Sequence, residues 1–172
     1  MAEQEFADAI ELLENDHRVV EKLFDMFENA TGKEKKQLIA EQICTELKIH
    51  TIIEEEIFYP TFRGKIDEDI LDEAMVEHDG AKVLINDIES GGPDEQYYDA
   101  KVSVLSEQIE HHVEEEEQDE DGMFAQCRRT DVDLKELGER LAARKQELKE
   151  LADSEGLEAA HLSAVSPQAA EQ

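Results

Sequence analysis

The chain has 172 residues, 40% hydrophobic and 37% charged, with only 3 Pro and 8 Gly, a mix that suits one water-soluble helical domain with a real core. Its net charge of −29 argues against a partner held through nucleic-acid phosphates or anionic lipid heads, since no basic stripe offsets the repulsion. No stretch nears the roughly 20 apolar residues of a membrane-spanning helix. Residues 1–5 lack the basic-then-apolar plan of a secretory signal, so a cytoplasmic location is expected.

Four long segments carry helical periodicity. The first covers residues 5–28, with Phe6, Ile10, Leu13, His17, Val20, Phe24 and Phe27 three or four apart, and Thr31-Gly32 then reads as a turn. The second covers residues 34–59 and aligns Ile39, Ile43, Leu47, His50, Glu54 and Phe58 before Pro60 and Gly64 end it. The third, residues 67–90, aligns Leu71, Ala74, His78, Ala81, Ile85 and Ile88, and Gly91-Gly92-Pro93 breaks it. The fourth starts near Asp94 and carries Val102, Leu105, Ile109, His112 and Glu116. A fifth amphipathic segment spans residues 131–151, and the polar tail 154–172 is expected to be mobile. Strand signals are nearly absent. The expected fold is all-α: an antiparallel up-down four-helix bundle with an additional C-terminal helix, residues 1–153 forming one domain.

Cys44 and Cys127 form no C-x-x-C pair, so neither a disulfide framework nor a zinc finger is expected. Histidine is more informative. His17, His50, His78 and His112 occupy the apolar stripes, one per helix, and His50 and His112 each have a glutamate four residues on, Glu54 and Glu116. Four residues advance about 40° around a helix, so each His and Glu share a face one turn apart. The pattern repeats: His17 to His50 is 33 residues and His78 to His112 is 34. One histidine on an apolar stripe is usually a hydrogen-bonded core residue. Four of them, with two glutamates in register, call for a cation, because a carboxylate buried without a partner costs several kcal/mol. Imidazole and carboxylate suit iron, manganese or zinc, and two carboxylates able to bridge make a two-ion site natural. His111–Glu115 is the alternative register, about 100° away on the same helix; His161 lies in the tail. The acidic run 114–121 reads as a solvated face or a cation attractor.

These residues resemble the hemerythrin-like, or HHE cation-binding, domain over residues 5–124. The matching stretches are Asn15-Asp16-His17, the segment from His50 through Glu54 to Pro60, Glu77-His78, and His111-His112 through Glu117. Residues 134–141 are similar to the extra C-terminal helix of bacterial members. The resemblance implies a non-haem centre of two iron ions, oxo- or hydroxo-bridged, held by His17, His50, Glu54, His78, His112 and Glu116. It also implies reactivity toward dioxygen, peroxide or nitric oxide.

One departure shapes the expected function. Oxygen-carrying members have a second histidine one turn from the first on the third helix, whereas Ala74 and Lys82 flank His78 here. If both glutamates bridge, each ion keeps an open position, which suits peroxide breakdown, a catalase-like oxidoreductase activity, more than reversible oxygen carriage. The alternative is a module that binds or senses dioxygen, nitric oxide or iron without turnover. Glu55 and Tyr59 are further side chains that could alter the ligand count. No nucleophile triad, phosphate loop or dinucleotide fingerprint is present.

Overall fold

The computed structural model describes residues 6–165, and within them every regular element is helical. Seven α-helices follow in order: α1 (Ala9–Glu28), α2 (Lys33–Ile53), α3 (Tyr59–Phe62), α4 (Glu68–Gly91), α5 (Tyr98–Glu117), α6 (Met123–Arg128) and α7 (Leu134–Ser154). A π-helical turn, Glu54–Phe58, joins α2 to α3. Helix α1 begins at Ala9, where Asp8 caps it by accepting the Glu11 N–H; Glu5 lies outside the described residues. Asp67 and Asp133 cap α4 and α7 in the same manner.

Helices α1 and α2 form one hairpin and α4 and α5 a second. Contacts of α1 with α2, α2 with α4, α4 with α5 and α5 with α1 close these four into a bundle. The two hairpin links meet at one end, where Lys33 Nζ lies 2.5 Å from Asp94. Helix α7 packs across α1, α2 and the π-turn, as the added C-terminal helix. Among the described residues, no helix is long and apolar enough to cross a membrane.

The core is divided in two. One apolar cluster fills the hairpin-link end with Phe24, Phe27, Ile43, Leu47, Ile85 and Leu105. The other holds Ile10, Leu13, Ile53, Phe58, Leu71 and Leu141 at the opposite end. Between them runs a buried polar layer of His17, His50, Glu54, His78, His112 and Glu116, none more than 5% exposed.

Three boundaries differ from the sequence reading. The second helical segment does not stop at Tyr59; it passes through the π-turn and continues through Pro60 to Phe62, ending before Gly64 at φ +78°. Pro60 stands at the start of α3, directly after the wider π-turn. Helix α5 starts at Tyr98, since residues 92–97 form successive turns rather than helix. The fourth helical segment ends at Glu117, and a separate short helix, α6, follows it and buries Phe124. Residues 160–165, expected to be mobile, lie along α4. Asp79 accepts the N–H groups of Ser163, Ala164 and Val165, while Asn86 exchanges two hydrogen bonds with Ala160. Residues 166–172 lie outside the described residues.

Helix α7 approaches α1 so closely at Gly138 that an added Cβ would meet the Ala9 nitrogen at 2.8 Å and the Asp8 carbonyl carbon at 3.0 Å. Gly138→Ala is therefore expected to destabilise the protein by about 1–3 kcal/mol, because backbone cannot yield. Gly80, mid-helix in α4, has only the Gln108 side chain at 3.8 Å, so Gly80→Ala is expected to stabilise by about 0.5–1 kcal/mol. Thermal unfolding of the two variants should shift the midpoint in opposite directions.

Candidate metal centre

All six residues singled out by spacing converge. Glu54 spans the layer: its Oε1 lies 3.0 Å from His50 Nε2 and its Oε2 3.0 Å from His78 Nε2. Glu116 Oε1 touches His112 Nε2 and lies 3.9 Å from His17 Nε2. His78 Nε2 and His112 Nε2 are 3.2 Å apart. Two sets of donor atoms result, each gathered within 4.8 Å: His17, His50, Glu54 and Glu116, and then Glu54, His78 and His112.

The other nitrogen of every ring is held by a carboxylate from a neighbouring helix. His50 Nδ1 lies 3.0 Å from Asp16, His112 Nδ1 2.9 Å from Glu77, His78 Nδ1 2.9 Å from Glu55 and His17 Nδ1 2.9 Å from Glu117. A carboxylate anion only accepts, so each Nδ1–H donates, and each neutral ring turns an Nε2 lone pair toward the centre. The four contacts form a closed circuit: α1 holds α2, the π-turn following α2 holds α4, α4 holds α5 and α5 holds α1. Each hairpin repeats one plan, an acid directly before the first histidine and a second acid directly after the inward glutamate.

Inward-facing lone pairs crowd one another without protons to share. His17 Nε2, His50 Nε2, Glu54 Oε1 and both Glu116 oxygens are buried with no hydrogen-bond partner. Leaving such groups unpaired is costly, and a cation relieves that cost. The donor set of imidazole and carboxylate, free of thiolate, fits iron, manganese or zinc. The two cysteines stay apart from it; both are buried and free, and burial lifts the Cys44 thiol to about 12.

Electrostatics point the same way. Burial favours neutral His50, yet the Glu54 and Asp16 carboxylates outweigh it and raise the ring to about 10. His112 is likewise raised well above its ordinary value, burial being overcome by Glu116 and Glu77. Burial would raise Glu54, but His50 and His78 hold it well below the carboxylate range. A proton thus takes the cation's place when metal is removed.

Tyr59 enters the layer as well. Its hydroxyl donates to Glu54 Oε2 at 2.9 Å and lies 3.2 Å from His78 Nε2 and 3.4 Å from His112 Nε2. Five residues along an α-helix is about 140° around its axis. The wider π-turn, closed by the Tyr59 N–H on the Glu54 carbonyl, brings both side chains to one face. Phe124 of α6 stacks on His17 at 5.9 Å and meets Phe58 edge-on at 5.8 Å, in the same apolar cluster as Tyr59. His111 and Glu115 do not join the layer; His111 is 63% exposed. His161 is also outside it, although its carbonyl binds Lys82.

Asp16, Glu77 and Glu117 carry no helical-stripe signal, because each contacts a ring on another helix. Their only sequence trace is adjacency to a stripe histidine or glutamate.

The pH dependence of chelator-treated protein follows. A raised histidine stabilises the fold fully below its unfolded value of 6.5 and loses that contribution as pH rises through the folded value of about 10. The lowered carboxylates Asp16, Glu54, Glu55, Glu77 and Glu117 stabilise above their unfolded values of 3.8–4.5 and lose that as pH falls. Thermal unfolding of metal-free protein should therefore show highest stability near pH 5–6.5 and decline toward pH 10; bound metal should flatten the alkaline limb.

The family model of the hemerythrin HHE cation binding domain matches residues 8–126. The crystal structure of a hemerythrin HHE cation binding domain-containing protein from Mycobacterium kansasii is similar, with a TM-score of 0.71 and 23% identity. The match covers 88% of this chain and 96% of that one, and it shows the shared fold. No curated protein matches. The matched domain and the His/Glu clusters agree on a metal-binding helical module, with iron the metal the domain implies. The chain belongs to the hemerythrin HHE cation-binding family.

Proposed function

We propose that this chain is a non-haem di-iron protein that binds and processes dioxygen-derived species, with hydrogen peroxide as its leading substrate. The observation that carries the reading is the set of five buried, unpartnered donor atoms aimed into one layer. His17 and His50 would hold one ion and His78 and His112 the other, with Glu54 and Glu116 shared between them. Iron bound there would supply Lewis acidity and one-electron redox capacity. The protein fixes the tautomer of each ring through Asp16, Glu55, Glu77 and Glu117, and it excludes bulk water with Phe58, Phe124 and the two apolar clusters. Disproportionation would convert two molecules of hydrogen peroxide into two of water and one of dioxygen.

A second reading is favoured by Tyr59. Its hydroxyl stands within 3.4 Å of both His78 Nε2 and His112 Nε2, where it would fill a position otherwise open to a small ligand. With iron bound, a small ligand would then find room on the His17–His50 side rather than beside Tyr59. That asymmetry suits a module that binds dioxygen, nitric oxide or iron without turnover.

Purified iron-loaded protein mixed with peroxide decides between them. Dioxygen release above the rate of the same quantity of free iron supports turnover; a stable coloured adduct without release supports the binding module. Glu54→Gln should reduce iron from about two per chain toward zero, the loss expected when a carboxylate shared by two ions is removed. Full retention of iron would overturn the shared assignment. Asp16→Asn, which leaves all six inner residues in place, should weaken metal affinity by about 10–100-fold, measured by competition with a chelator.

A further inference from the structure

A third group of donor atoms lies outside the layer. His111 Nε2 is 3.2 Å from Glu77 Oε2 and 3.1 Å from Glu115 Oε1, and the three donor atoms lie within 4.8 Å of one another. His111 and Glu115 are one turn apart on α5, the same His-x-x-x-Glu step that builds the inner layer, displaced by one residue to the outer face. Glu77 arrives from α4.

Glu77 already serves the interior. Its Oε1 lies 2.9 Å from His112 Nδ1, so the carboxylate is fixed in place and its Oε2 is presented outward. The outer group therefore has one ligand oriented by the bundle and two at helical spacing. A single imidazole N–H shared between the two carboxylate oxygens makes two bent bonds, so an ion pair uses this geometry less well than a linear contact. A metal uses it well: bonds of about 2.0–2.2 Å at tetrahedral to octahedral angles set donor atoms about 3.0–3.5 Å apart. One imidazole with two carboxylates suits divalent first-row ions, Fe²⁺, Mn²⁺ or Zn²⁺, over the all-oxygen preference of Ca²⁺ and Mg²⁺. The net charge of −29 raises the local concentration of any such cation.

We propose that Glu77, His111 and Glu115 form a separate, solvent-facing site for a divalent transition-metal ion, coupled to the inner centre through the shared carboxylate of Glu77. The ion there exchanges with solvent, whereas ions in the buried layer do not.

The test titrates iron-loaded, full-length protein with Zn²⁺ by calorimetry at physiological ionic strength, where diffuse attraction is screened. One saturable Zn²⁺ per chain is expected, removable by brief chelation with the iron retained. His111→Ala and Glu115→Gln should each weaken it by about 10–100-fold while leaving iron content and absorption unchanged. Glu114→Gln, an exposed acid on the same helix, should leave it unchanged. Absence of saturable binding, or equal binding by His111→Ala, overturns the proposal. The result is separable from the di-iron reading. If the protein holds no iron, the same titration of chelated protein should lose the outer Zn²⁺ in His111→Ala and keep it in His50→Ala.

Discussion

The buried polar layer depends on one interaction, the bond from a histidine Nδ1–H to a carboxylate on the next element around the bundle. Four such bonds close a circuit through α1, α2 with its π-turn, α4 and α5. Each fixes a tautomer, and with it the direction of an Nε2 lone pair. Because the circuit closes, a ring that rotated away would lose its bond to the neighbouring element and turn its Nε2 lone pair off the layer. The inward crowding of donor atoms follows, and so does the requirement for a proton or a metal cation among them.

The surrounding fold is arranged to keep that layer dry. Apolar clusters lie on both sides of it, α7 covers the α1–α2 flank, and α6 delivers Phe124 over His17. The π-turn has a separate effect: it adds Tyr59 to the half that holds His78 and His112, and so makes two otherwise equivalent halves unequal. The C-terminal segment reaches the same half from outside. Ser163 Oγ donates to Glu55 at 2.5 Å, and Glu55 in turn accepts from His78. Lys82, one turn from His78 on α4, pairs with Glu55 and Asp79 instead of entering the layer.

Much of this was legible in the chain. The stripe positions of His17, His50, His78 and His112, and the four-residue steps to Glu54 and Glu116, predict the inner layer because i,i+4 geometry is a local property of any helix. The choice between His111 and His112 was legible for the same reason, from which of them continued the Leu105–Ile109 stripe. Asp16 and Glu77 were not legible as partners. Each sits about 100° from its neighbouring histidine and serves a ring 34 or 35 residues away.

The sequence by itself determined the all-α class, the two-hairpin repeat and the six inward residues, since each rests on helical spacing within a segment. The tertiary structure alone decided which carboxylate orients which imidazole and where α6 and the segment up to Val165 dock. It also decided that Tyr59 joins the layer, through a π-turn that periodicity does not reveal. Those outcomes depend on which helix faces land opposite one another, and that is a property of packing between segments.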